Sequence, residues 1–79
     1  MEEYKKREDG SEQWIYHFPN GYGCSVIKGP ASYGGSKGLY ELAVLKDGEL
    51  CYDTYITSDV IGHLSWKEVC FLVDKVRVL

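Results

Sequence analysis

Gly38-Leu39-Tyr40-Glu41-Leu42-Ala43-Val44-Leu45-Lys46-Asp47-Gly48-Glu49-Leu50-Cys51-Tyr52-Asp53 decides how this chain folds. Two runs rich in aliphatic and aromatic side chains flank Asp47-Gly48. That dipeptide is a strong hairpin signal, because both central positions of a type I′ turn require φ > 0. Charge selects the register. A two-residue loop pairs Lys46 with Glu49, Ala43 with Tyr52 and Leu42 with Asp53, whereas a three-residue loop sets Glu41 opposite Asp53. Like charges facing each other across a ladder are destabilising, which favours the shorter loop. The hairpin, expected over residues 39–57, then carries Leu39, Ala43, Leu45, Leu50, Tyr52 and Ile56 on one face. Tyr40, Leu42, Val44, Cys51 and Tyr55 occupy the other, so both faces are substantially apolar.

Upstream, Asn20-Gly21 signals a second hairpin over residues 14–28. A two-residue loop there groups Trp14, Tyr16, Phe18 and Ile27 on one side. Ile15, His17, Tyr22, Cys24 and Val26 fall on the other, with His17 directly across from Cys24. Between the hairpins runs Gly29-Pro30-Ala31-Ser32-Tyr33-Gly34-Gly35-Ser36-Lys37-Gly38, which holds four of the nine glycines. Links between strands are usually about two to six residues, so this one reads as functional or mobile. Residues 1–13 hold five acids and three bases and only Tyr4 as a sizeable apolar group, and are expected to form a disordered charged tail. A single ββββα domain over residues 14–79 follows.

After Thr57 the period changes. Ser58 and Asp59 are expected to cap a short turn through Leu64, and Ser65-Trp66-Lys67-Glu68 is a capping box that opens a helix. Val69, Leu72, Val73, Val76 and Leu79 share one helical stripe. The fold class is therefore α+β: an antiparallel four-stranded sheet of two β-hairpins with one C-terminal α-helix packed on it. One helix covers one sheet face. Its aliphatic stripe suits the side of Leu39, Leu45, Leu50 and Ile56, leaving Tyr40, Leu42, Val44 and Tyr55 for a partner.

The chain of 79 residues is 44% hydrophobic, as in a globular domain. Folded chains near this size bury only about 60% of their unfolded surface, so a partner that covers more would stabilise it. Net charge is −3 without a basic stripe, so nucleic acid is not an expected partner. Cys24, Cys51 and Cys70 are odd in number and show no paired short spacing. Neither a disulfide framework nor a zinc site is indicated, and a reducing cytosol fits. No apolar run approaches the roughly 18 residues needed to span a bilayer, and the first residues lack a signal-peptide core, so a cytoplasmic protein is expected.

Asn20-Gly21-Tyr22-Gly23 with Ser25-Val26-Ile27, Tyr33-Gly34-Gly35, Gly38-Leu39-Tyr40-Glu41-Leu42-Ala43-Val44-Leu45, Tyr52-Asp53-Thr54, Ile56-Thr57 and Asp59-Val60-Ile61-Gly62 followed by Leu64 together resemble a family of small uncharacterised proteins encoded by tailed bacteriophages. The resemblance covers residues 20–79. It implies a setting, the cytoplasm of an infected bacterial host cell, and no cofactor or catalytic residue. By analogy with other small phage proteins it implies binding to a host or defence protein.

Individual residues add little chemistry. A Cys24–His17 pair has the composition of a nucleophile and its base, but no orienting acid or oxyanion donors accompany it. A half-buried cysteine next to a surface histidine is the simpler account. The glycine loop with Lys37 is not Gly-x-x-x-x-Gly-Lys-Ser/Thr and leads into a strand, not a helix N-terminus, which argues against a phosphate site. Glu41 and Asp53 point to opposite faces, Asp59 suits a cap, and His63 has no second ligand at metal spacing. No catalytic residue, metal or cofactor is expected. The expected function is non-enzymatic: protein binding that inhibits or modulates a host or defence protein, through Tyr33, Gly34, Gly35, Tyr40, Leu42, Val44 and Tyr55. The partner is that protein, a second copy in a homodimer, or both. A small nucleotide- or single-stranded nucleic-acid-binding module is the alternative.

Overall fold

Three dipeptides ending in glycine, Asp9-Gly10, Asn20-Gly21 and Asp47-Gly48, turn this chain back on itself. The structure, a computed structural model, describes residues 2–30, 37–57 and 59–79. Strands β1 (Glu2–Lys6), β2 (Glu12–His17), β3 (Tyr22–Lys28) and β4 (Tyr40–Lys46) form an antiparallel meander. Both β5 (Glu49–Leu50) and β6 (Ile61–Leu64) pair with β4, and the chain ends in α1 (Trp66–Arg77). The α+β class and the single C-terminal helix are as the sequence indicates, but the sheet has six strands instead of four.

The third turn is the two-residue loop that charge selected: Asp47 and Gly48 have φ of 51° and 85°, and Lys46 faces Glu49. The other two turns are longer and alike. Arg7 N–H donates to Ser11 O (2.8 Å) and Gly10 N–H to Arg7 O (3.1 Å), while Phe18 N–H donates to Tyr22 O (2.9 Å) and Gly21 N–H to Phe18 O (3.1 Å). Only the last loop residue, Gly10 or Gly21, has positive φ. These are three-residue loops, a type I turn closed by a glycine in the left-handed region. Pro19 supplies the reason in the second, since its fixed φ suits the first central position of a type I turn.

That extra residue corrects the expected register of the first hairpin. Tyr16 faces Cys24 and Trp14 faces Val26, whereas His17 faces Gly23. A one-residue slip exchanges faces, so Trp14, Tyr16, Cys24 and Val26 now share a side with Leu42 and Val44. Residues 2–13, within the stretch expected to be a disordered tail, supply β1, the first turn and the start of β2. Tyr4 packs across the ladder against Trp14 with the rings tilted, and Lys6 faces Glu12. Such cross-strand pairs are the local unit of sheet stability.

The hairpin expected to run to Thr57 stops at Leu50. Continued pairing would set Asp53 beside Leu42, which is wholly buried, and burying an unpaired carboxylate is costly. Ile61 takes that place and Leu64 faces Tyr40, so Ile61–Leu64, within the segment expected to be a capped turn, is a strand, while Ser58 lies outside the described residues. Asp59 caps no helix; its carboxylate accepts from Val60 N–H at 2.7 Å.

Helix α1 starts at the expected capping box. Ser65 Oγ accepts from Glu68 N–H (3.2 Å) and Ser65 N–H donates to Glu68 Oε1 (2.9 Å). Val69 and Val76 are wholly buried against Cys24, Val26, Leu42, Val44 and Leu64. Complete burial of each is worth roughly 1.5–3 kcal/mol. The helix therefore covers the Tyr40, Leu42 and Val44 face, opposite to the expected one. The other face carries Gln13, His17, Ser25 and Glu41 between its apolar residues, and is the better suited to water. Among the described residues no helix is long and apolar enough to cross a membrane.

Candidate functional site

Alternation along β2 sends Trp14 to the helix side, and its ladder partner Tyr4 follows it. Tyr40 opens β4 on the same side, and Trp66 is the first residue of α1, placed there by the capping box. Four rings consequently meet at one end of the sheet. Centroids are 5.6 Å apart for Tyr4 and Trp14, 5.9 Å for Trp14 and Tyr40, 6.2 Å for Trp14 and Trp66, and 5.3 Å for Tyr40 and Trp66, all tilted. These separations fall in the attractive range for aromatic pairs. Lys28, at the end of β3, places Nζ 5.2 Å from the Tyr40 centroid, within reach of a cation–π contact.

The cluster is not sealed. Tyr4 is 53% and Trp66 45% exposed, because α1 lies over β3 and β4 and leaves β1 uncovered. Beside Trp66 a groove of about 300 Å³ runs between helix and sheet, lined by Tyr16, Val69, Cys70, Val73 and Asp74. Burial first, and then the nearby Glu2 carboxylate, raises the Tyr16 hydroxyl above its usual pKa. The Tyr4 hydroxyl donates to Glu12 Oε1 at 3.0 Å, and that bond raises it too.

No family model, curated protein or solved structure matches this chain.

Of the residues expected to bind a partner, Tyr40 is half-buried within the ring cluster. Leu42 and Val44 are wholly buried beneath α1 and offer no surface, a correction that follows from the face the helix takes. Tyr55 is 77% exposed in the irregular stretch after β5. Tyr33, Gly34 and Gly35 lie outside the described residues. Sequence reasoning overlooked Tyr4, Trp66 and Lys28. A usable signal was present in Asp9-Gly10, a hairpin dipeptide that brings Tyr4 beside Trp14.

The Cys24–His17 pair does not form. The corrected register puts the two on opposite faces, and burial pushes the Cys24 thiol up to about 12. His17 Nε2 instead lies 3.2 Å from Glu3 Oε1. His63 sits in β6 with φ of 59°. Among the described residues no group of three or more His, Cys, Asp or Glu side chains is arranged to hold a metal ion.

Proposed function

We propose that this chain acts by binding another protein through the Tyr4, Trp14, Tyr40 and Trp66 cluster, without bond-making chemistry of its own. The observation that carries the reading is an exposed ring cluster bordered by a groove. Tryptophan and tyrosine dominate binding hot spots because each offers a large apolar body and a polar handle. Trp66 and Tyr4 are the exposed rims of rings whose other edges are already held in place, so little ordering entropy opposes contact. An aliphatic or aromatic anchor on the partner would enter the groove between Tyr16 and Val73.

The resemblance to phage-encoded proteins supports a host or defence protein of an infected bacterium as that partner, bound so as to inhibit or modulate it. Affinity capture from bacterial lysate tests the reading. One protein retained by the full chain should be lost with Trp66→Ala or Tyr4→Ala, each weakening binding about 30-fold, the equivalent of about 2 kcal/mol. Recovery of a nucleotide or nucleic acid in place of a protein, or retention unaffected by both substitutions, would overturn it.

A further inference from the structure

The outer edge of β1 is the one regular sheet edge among the described residues. At the opposite side of the sheet, β5 is two residues long, and β6 is broken by a register shift against β4 and by the left-handed backbone of His63. Short strands and bulges of this kind discourage edge-to-edge pairing. Strand β1 has neither. It pairs with β2 over five consecutive positions without a shift, and all five of its residues are exposed.

Its backbone groups alternate. Arg7 N–H bonds to Ser11 O, so by the alternation of an antiparallel ladder Lys5 and Glu3 exchange hydrogen bonds with Gln13 and Ile15. The N–H and C=O groups of Glu2, Tyr4 and Lys6 point the other way, off the sheet. The side chains add a second regularity, for the strand reads Glu-Glu-Tyr-Lys-Lys, a sequence whose charges invert about Tyr4.

We infer that β1 pairs with β1 of a second copy, antiparallel and centred on Tyr4. In that register Glu2 faces Lys6, Glu3 faces Lys5 and Tyr4 faces Tyr4. Every charge on the strand meets its opposite. The three residues at hydrogen-bonding positions are Glu2, Tyr4 and Lys6, the same three whose backbone groups point outward. Sliding the strands by two residues would bring Lys5 onto Lys5 or Glu3 onto Glu3, and a parallel pairing would match like with like throughout, so charge specifies the register as well as the partner. The two-fold axis is perpendicular to the sheet, which makes the contact isologous and closed. Both helices then lie on the same side, and the two Tyr4 rings join the two aromatic clusters into one band.

Amide exchange read by NMR over a range of protein concentrations tests this pairing. As concentration rises, Tyr4 and Lys6 amides should gain protection together, while Glu3 and Lys5, already bonded to β2, should not change. Sedimentation of two variants provides the second arm, each first shown to be folded by its amide spectrum. Lys5→Glu/Lys6→Glu and Glu2→Lys/Glu3→Lys should each dimerise at least about tenfold more weakly than the parent chain at low salt, because each repels its own copy. An equimolar mixture of the two should associate again as a heterodimer. A parent chain that stays monomeric at millimolar concentration would overturn the inference. So would protection that appears on the Ile15, Ile27 and Leu45 face instead, or variants that dimerise as well as the parent.

Discussion

Asn20 shows how much one side chain can settle. Because Pro19 occupies the first central position of its turn, Asn20 is freed from the left-handed conformation that a two-residue loop would impose on it. Its Oδ1 accepts from Tyr22 N–H at 3.0 Å, and its Nδ2 reaches the carbonyl oxygens of Val76 (3.2 Å), Arg77 (3.3 Å) and Leu79 (3.1 Å). The last carbonyls of a helix have no partner within it, so this amide ties the end of α1 to the turn between β2 and β3. Asn20→Ala should cost about 1–2 kcal/mol in urea unfolding. Asn20→Asp should cost more, since it turns a carboxylate toward three carbonyls at the negative end of the helix dipole. Cys24 makes a different prediction. Its thiol pKa is raised by burial, so its contribution to stability is full below the ordinary thiol pKa and is lost as pH rises from about 9 toward about 12. Thermal melts should show a steeper loss over that window for the parent chain than for Cys24→Val. Iodoacetamide should modify exposed Cys70 before Cys24.

At the scale of elements, Asn20-Gly21 and Asp47-Gly48 marked two hairpins in the sequence, but the third, at Asp9-Gly10, was missed within its charged surroundings, and loop length was not legible. Asp47-Gly48 and Asn20-Gly21 look equivalent in sequence. Pro19 separates them, and the resulting shift by one residue moved Cys24 and Val26 into the core beside Trp14 and Tyr16. Helix α1 was legible because its start depends on local chemistry, the Ser65–Glu68 box. Glu68 is held below the usual carboxylate range by its bond to the Ser65 amide. The cap's contribution is therefore present above the ordinary Glu pKa and fades as pH falls through the lowered one. Ser65→Ala should destabilise the fold by about 1 kcal/mol at neutral pH, with the difference from the parent chain shrinking at acidic pH in urea titrations. At Gly23 a Cβ would overlap the Tyr16 carbonyl oxygen, so Gly23→Ala should disrupt the β2–β3 ladder, visible as loss of dispersed amide signals.

Across the whole molecule, burial is uneven. The wholly buried aliphatic side chains belong to β3, β4 and α1, whereas every residue of β1 is exposed. Hydrogen exchange should therefore find the amides of β3, β4 and α1 opening only with global unfolding, and those of β1 opening locally at lower free energy. Equal protection throughout would show that β1 is held by more than its ladder. The same asymmetry separates what the amino-acid order determined from what the assembled fold decided. The turns at Asn20-Gly21 and Asp47-Gly48, the type I′ loop of the latter, the helix start and the α+β class follow from interactions between residues close in the chain, and these could be read directly. Three features depended on contacts between distant segments: which face α1 covers, the replacement of the strand after Leu50 by Ile61–Leu64, and the meeting of Tyr4, Trp14, Tyr40 and Trp66. Each is a competition among apolar surfaces for the helix-covered side of β4 and its neighbours. Leu42 is adjacent either to Asp53 or to Ile61, and the choice turns on the cost of burying a carboxylate, which emerges only once the helix has closed over that face.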